Sequence, residues 1–342
     1  MISRALLLFL LSMPMFASEE IQFSGDLRYR HDRIHESSND VNQRDRIRFR
    51  LKAIGSPQKK INITARITSG TGSATSTNQT LGEGGKNKDI ELDMAYATWT
   101  PQKRTKLFLG KMNNPLYRVG SSDILFDSDW TPEGLALSQS FKTDLNETHI
   151  YLSRFWIDED SSTDVILHAP QIANVFKWGN FQTTLGLGYL NYSSLKGTGG
   201  FSEAGNTFKD NSFKNDYKLW QVFGEITFAL ENLKTHLFFE TVENTEVSKN
   251  DRAYLVGSKF NFKKWSFSYD YRRVDADALV AFLADGDSMG NNGSNGQGNR
   301  YNLSRVLSKN TSISFVFYNH SFKDQSVQKH TDKYQINTVF KF

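Results

Sequence analysis

Between Arg46 and Ala53 the chain reads RIRFRLKA, with Ile47, Phe49, Leu51 and Ala53 alternating with Arg46, Arg48, Arg50 and Lys52. Successive side chains of a strand point to opposite faces, so this two-residue repeat predicts a β-strand with one apolar and one basic face. The alternation returns in Ile61-Ile63-Ala65-Ile67 against Asn62-Thr64-Arg66-Thr68, and in Phe181-Thr183-Leu185-Leu187-Tyr189 against Gln182-Thr184-Gly186-Gly188. It returns again in Trp265-Phe267-Tyr269-Tyr271 and Ile313-Phe315-Phe317. Over the whole chain the pattern predicts sixteen strands, at 21–34, 44–54, 60–69, 89–100, 104–111, 133–142, 146–156, 164–176, 181–193, 217–230, 233–245, 252–263, 265–275, 298–309, 311–323 and 328–342. The seventh and eighth alternate weakly, and Pro170, which has no amide to donate to a ladder, interrupts the eighth.

The connections alternate too. Tight turns stand at Gly55-Ser56-Pro57, Pro101-Gln102-Lys103, Trp178-Gly179-Asn180, Glu231-Asn232, Lys263-Lys264 and Lys309-Asn310, and long polar segments at 70–88, 112–132, 194–216 and 276–297. An even number of up-and-down strands with short turns at one end and longer loops at the other predicts an all-β fold, a transmembrane antiparallel β-barrel with short periplasmic turns and long extracellular loops. A soluble sandwich also alternates, but its Greek-key connections do not give this order. Trp99, Trp178 and Trp265 sit beside tight turns, and Trp156 and Trp220 at the opposite strand ends, as interfacial aromatic belts require. Gly70 to Thr80 and Gly290 to Gly298 read as tips of outside loops. Arg305 shares the outward face of Leu303 and Leu307, where a charge at mid-bilayer costs about 2–4 kcal/mol. Either a bulge turns it inward, or it lies near the turn and reaches the headgroups.

At the N-terminus, Arg4, the apolar run Ala5 to Leu11 and the small Ala17 predict a cleaved signal peptide over 1–17, leaving a barrel domain over 18–342. No later segment approaches the ~18 consecutive apolar residues of a membrane helix. The 342 residues contain no Cys, which excludes disulfide scaffolds and Cys-based metal centres, and 13% aromatic residues suit strands. With 41 basic and 37 acidic residues, the net charge of +4 is too weak to argue for nucleic acid.

Inward positions of the first three strands carry Arg28, Arg30, Arg44, Arg46, Arg48, Arg50, Lys52 and Arg66, with Asp26 and Asp32 on the same face. Like charges this dense repel in a dry core and make sense lining water, where ladders of charge select ions. The alternative is a solvated face with local pairing.

The segments FSGDLRYRHDRIH, QRDRIRFRLKA, STNQTLGEGGKNKDIELDMAYATWTP, LGKMNNPLY and DWTPEGLALS, in that order, and the closing KYQINTVFKF ending on Phe342, resemble the porin family of Gram-negative outer membranes. The resemblance is dense over 21–142 and in the last strand. It implies a water-filled pore for passive diffusion of small hydrophilic solutes and ions, no enzymatic activity and no cofactor. As partners it implies two further copies in a homotrimer, with outer-membrane lipid and lipopolysaccharide around it. It also implies that the third outside loop, which here carries Arg118, Asp123, Asp127 and Asp129, folds inward as a constriction opposite the arginine ladder Arg28, Arg30, Arg46, Arg48, Arg50 and Arg66. Apolar Ile124-Leu125-Phe126 would pin that loop to the wall; an ordinary surface loop is the alternative reading.

Signals of enzymatic chemistry are poor. His31 and His35 lie about 13 Å apart on a strand, too far for shared ligation. Gly70-Thr71-Gly72 and Gly82-Glu83-Gly84-Gly85 lack the lysine and strand-to-helix setting of a phosphate loop. Asp285-Gly286-Asp287 hints at a calcium loop, but Met289 holds a ligand position and the terminal Glu is missing. A short helix over Ala276 to Ala284 fits packing, and His149 with Ser153 on one strand is a thin sign of a hydrolase. The alternatives left open are an anion- or phosphate-selective channel, an adhesin and a barrel enzyme.

Overall fold

A computed structural model describes residues 21–37, 40–324 and 327–342; the expected signal peptide lies outside the described residues. Sixteen antiparallel wall strands follow one another in chain order. They are β1 (Gln22–Glu36), β2 (Asn42–Gln58), β3 (Ile61–Ser69), β4 (Ile90–Gln102), β5 (Thr105–Lys111), β6 (Glu133–Lys142), β7 (Asn146–Asp158), β8 (Val165–His168 and Gln171–Trp178) and β9 (Phe181–Ser193). The second half comprises β10 (Tyr217–Leu230), β11 (Leu233–Asn244), β12 (Arg252–Phe262), β13 (Trp265–Val274), β14 (Gly296–Ser308), β15 (Thr311–Asp324) and β16 (Val327–Lys341). β1 pairs with both β2 and β16, from Asp26 opposite Lys341 to Glu36 opposite Thr331, and this closes the sheet into a barrel without free edges.

The alternation sets which way each face turns. Leu27, Leu135, Leu185, Val222, Phe239, Val256, Phe267, Leu303, Phe315 and Ile336 are exposed on the outside, while their charged or polar neighbours face inward. β8 is split where Pro170 stands, yet the sheet continues across the gap: the Ala169 amide donates to Ser153 (2.9 Å) and the Pro170 carbonyl accepts from Tyr189 (2.9 Å). In β4, Met94 pairs with Arg66 and Leu92 with Ile67, so Asp93 is the extra residue of a bulge, and both Asp93 and Met94 are buried. Arg305 stays outward. It pairs with Trp265 beside the Lys263-Lys264 turn and lays its guanidinium over that ring, 5.0 Å from the centroid, which keeps the charge at the membrane edge.

Two connections expected outside are corrected. Residues 275–295 turn into the barrel, with Ala278, Leu279, Val280, Leu283 and Met289 buried. Within them only the 3₁₀ turn Ala281–Leu283 takes the place of the short helix expected over Ala276 to Ala284. The stretch Gly70 to Thr80 is only in part a loop tip: residues 71–74 are exposed, whereas Thr77 and Asn78 are buried and Gln79-Thr80 pair with Ile47 and Arg46 of β2, extending the wall where β3 has ended. Gly290 to Gly298 likewise begins in a 3₁₀ turn, buries Ser294 and runs into β14. Each segment has inward polar or apolar groups that find partners only inside the wall.

Residues 112–132 also fold inward. Val119, Ile124, Leu125, Phe126 and Trp130 join Leu279, Val280 and Leu283 against the inner faces of β7 to β12, at Phe155, Leu167, Leu219, Phe223 and Leu255. These side chains form an apolar core between the loops and that part of the wall.

The first and last strands meet at Gly25, whose amide donates to the Phe342 carbonyl (2.9 Å) and whose carbonyl accepts from the Phe342 amide (3.1 Å). A Cβ on Gly25 would stand 2.4 Å from the Arg50 carbonyl oxygen and 2.5 Å from the Phe342 ring. Gly25→Val should destabilise the closed barrel by about 1–3 kcal/mol, lowering the temperature at which the compact band on unheated gels converts to the unfolded one. Gly55→Val, where a Cβ meets nothing nearer than 3.9 Å, should leave it unchanged.

Candidate functional site

The register of β1 on β2 places like charges directly opposite one another: Arg28 faces Arg48 and Arg30 faces Arg46, flanked by Asp26 opposite Arg50 and Asp32 opposite Arg44. Opposed like charges destabilise a sheet, and this pairing persists because carboxylates are inserted among the guanidinium groups. Asp26 binds Arg48 (2.9 Å) and Arg50 (2.7 Å), while Asp32, 0% exposed, meets Arg44 (3.2 Å) and Arg46 (3.8 Å). Arg66 pairs with the bulged Asp93 of β4, whose carboxylate also accepts from Thr131 Oγ1 in the segment 112–132 (3.4 Å).

The two inward loops supply the remaining countercharge. Asp129 reaches Arg48 (3.4 Å) and Arg50 (3.5 Å), and Asp287 reaches Arg30 (3.0 Å) and Lys333 of β16 (2.6 Å). Asp123 points to a different basic group, bridging Arg272 of β13 (3.0 Å) and Arg300 of β14 (2.6 Å), which also hold Asp270 and Asp285. The loops are tied to each other through backbone: the Asp127 amide donates to Leu283 (2.7 Å) and the Asp285 amide to Asp123 (3.1 Å). Arg118 donates to the Ser122 carbonyl (2.7 Å) within its own loop and joins neither ladder.

The expectation of an acidic loop facing the whole ladder across open water is thus corrected in two respects. Asp129 docks onto the ladder, and Asp123 serves a separate pair, Arg272 of β13 and Arg300 of β14. Between the wall and the loops remains a cavity of about 370 Å³, bordered by Arg28, Arg30, Arg44 and Arg46 on one side and Asp123, Asp127, Asp129, Asp285 and Asp287 on the other, with Ser76 and Asn78 at its rim. A larger one of about 1300 Å³ shares Ser73, Thr75, Asp129 and Gly286 with it and extends to Trp156 and Phe201.

The electrostatics of the loop carboxylates divide by partner. Burial opposes ionisation of Asp123, but Arg300, Arg272 and Arg118 outweigh it and hold its carboxyl below the usual range. Burial of Asp129 is likewise outweighed by Arg48, Arg28 and Arg50, and that of Asp287 by Lys333 and Arg30. Asp127 is different. Burial pushes its carboxyl well up, and the charges of Asp285 and Asp129 push it further. Burial and the Asp123 charge also raise Asp285.

Arg272, Arg300 and Lys333 were not anticipated as site residues, and Asp285 and Asp287 were singled out only as a weak calcium loop. A signal existed for three of them: Arg272 alternates with Tyr271, Arg300 with Tyr301, and Lys333 with Tyr334, each at inward parity. Asp285 and Asp287, instead of forming a calcium loop, take Arg and Lys partners. His149 and Ser153 share β7 without touching; His149 lies 3.8 Å from Glu147 and stacks with Tyr151.

A family described as "Putative porin" matches residues 30–257. No curated protein matches the sequence. Solved structures with the same fold include OmpF of Salmonella typhi in complex with daunomycin, with a TM-score of 0.58 at 9% identity, covering 94% of this chain and 97% of that one. OmpT of Vibrio cholerae, an outer membrane protein in its trimer form, gives 0.53 at 10% identity, covering 94% and 99%. A triple mutant of the Rhodopseudomonas blastica porin gives 0.53 at 8%, covering 94% and 100%.

Because its carboxyl is raised, Asp127 binds a proton more tightly in the folded than in the unfolded chain. Its contribution to stability falls as pH rises from the ordinary carboxylate range, about 4, through its raised value. Asp123, Asp129 and Asp287 behave oppositely: their contribution is present above that range and is lost as pH falls through their lowered values. Asp127→Asn should therefore flatten the decline in unfolding temperature on the alkaline side and leave the acid-side loss in place. A steeper decline in the variant would mean that Asp127 is ionised and stabilising.

Proposed function

The chain belongs to the porin family described as "Putative porin" and is an outer-membrane β-barrel, and from that premise we propose that it forms a water-filled channel for passive diffusion of small hydrophilic solutes and ions. The observation that carries this reading is the charged cavity inside the wall, where guanidinium and carboxylate groups on facing surfaces border space rather than packed side chains. A packed core would not hold so many ions, because desolvating them costs several kcal/mol each. Arg28, Arg30, Arg46, Arg48, Arg50 and Arg66 serve as the basic pore lining. The loop bearing Arg118, Asp123, Asp127 and Asp129 narrows the lumen.

The same reading places removal of residues 1–17 on export, insertion among outer-membrane lipid and lipopolysaccharide, and assembly as a homotrimer, which the trimer form of the Vibrio cholerae relative supports by analogy. It assigns no catalysis and no cofactor. The near balance of Arg and Asp around the cavity argues against strong anion or phosphate selectivity.

Purified protein in a planar bilayer should give discrete conductance steps; none would leave the adhesin reading. Neutralising two or three of Arg28, Arg46 and Arg48 should shift the reversal potential in a salt gradient toward cations. Neutralising Asp123, Asp127 and Asp129 should shift it toward anions, and both shifts should shrink between 0.1 and 1 M salt as the Debye length falls from about 10 to about 3 Å. Deleting Ser121 to Asp129 should raise conductance, and unchanged conductance would place the constriction elsewhere.

A further inference from the structure

The 370 Å³ cavity is bordered by nine charged side chains, and seven of them already hold an opposite charge within 4.0 Å. Among the described residues, the two that do not are Arg28 and Asp127. Arg28 donates one amino group to Asn78 Oδ1 (2.6 Å), and its Nε is buried without a hydrogen-bond partner; Arg46, beside it, also leaves Nε without one. The side chain of Asp127, a residue 9% exposed, accepts the Asp129 amide (2.7 Å) and takes no ion-pair partner among the described residues. No ion pair joins Arg28 to Asp127, so one guanidinium and one carboxyl group face the same space, each without an ion-pair partner within 4.0 Å among the described residues. A buried guanidinium without an ion-pair partner is costly, and a solute carboxylate there offsets that cost, while a solute ammonium beside Asp127 favours the ionised form of its carboxyl.

The geometry points to a stoichiometric binding site, within the proposed channel and resting on that reading, for a small zwitterion of the α-amino-acid type, its carboxylate on Arg28 and Arg46 and its ammonium on Asp127. A plain anion would meet the bank of five aspartates, and a plain cation the four arginines; only a solute bearing both charges is matched on both sides. The volume falls within the ~300–1,000 Å³ of ordinary small-molecule sites. Ser76 and Asn78, held beside the arginines by the segment that pairs with β2, keep the guanidinium groups aimed into the space: Arg46 donates to Ser76 Oγ (3.4 Å) and Arg28 to Asn78. The ammonium of such a solute would also oppose the burial and the Asp285 and Asp129 charges that raise the Asp127 carboxyl.

The test compares four solutes of nearly equal size on single channels in a planar bilayer: L-alanine, L-lactate, L-alaninamide and lactamide. These carry both charges, the negative one, the positive one and neither. L-alanine should interrupt the current at concentrations roughly tenfold lower than any of the others, a difference of about 1.4 kcal/mol. Arg28→Gln should abolish the preference for alanine over alaninamide, and Asp127→Asn the preference for alanine over lactate. Lys103→Gln, at a periplasmic turn, should change neither. Channels that respond equally to all four solutes would overturn the site and leave the porin reading intact, whereas absence of conductance would remove both. Lactate matching alanine would show a simple anion site, and alaninamide matching it a simple cation site; either overturns the zwitterion assignment. If a variant fails to give the heat-modifiable folded band, the four-solute comparison on the unaltered protein still decides.

Discussion

The juxtaposition of Arg28 with Arg48 and of Arg30 with Arg46 across two hydrogen-bonded strands is the constraint around which the interior is arranged. At an effective dielectric constant of about 20, two unit charges 4 Å apart repel by roughly 4 kcal/mol. Asp26 and Asp32 on β1 relieve part of this, but the register gives the four central arginines only those two carboxylates from the wall itself. The deficit is met from loops, by Asp129 and Asp287, and a loop can deliver a carboxylate to the middle of a wall only by entering the barrel. The inward course of residues 112–132 and 275–295 thus has an electrostatic cause as well as an apolar one.

The apolar cause acts on the opposite side. β7 to β12 turn Phe155, Leu167, Leu219, Phe223 and Leu255 inward, and the loops cover them with Val119, Ile124, Phe126, Val280 and Leu283. Each loop is amphipathic along its length, anchored to this apolar cluster by aliphatic and aromatic side chains and reaching the arginines with aspartates. The backbone bonds from Asp127 to Leu283 and from Asp285 to Asp123 make the two loops one unit. Displacing either would uncover apolar surface and strand arginines without partners, so they should move together or not at all.

The strand alternation, the outward aromatic and aliphatic band and the inward basic face of β1 to β3 were all legible from residue order, because a strand's side-chain period of two is local and independent of what the strand packs against. Even the exceptions carried local marks: Pro170 announced the break in β8, and Arg305 beside Lys263-Lys264 could be placed at the membrane edge by its distance from a turn. The basic positions Arg272, Arg300 and Lys333 stood at inward parity and could have been included on the same ground.

What residue order could not supply was the pairing. Asp123 and Asp129 are six positions apart in one loop yet serve different strands, β13 and β14 against β2, and Asp287 joins β1 to β16 from a loop that sequence alone placed outside. The sequence by itself determined the barrel, its strand count and which side chains face in, since these follow from short-range periodicity and from turn chemistry. Only the tertiary structure decided which carboxylate neutralises which arginine, and therefore that Arg28 and Asp127 are left over in the same cavity, because Coulomb interactions act between groups brought together by closure of the sheet rather than by proximity in the chain.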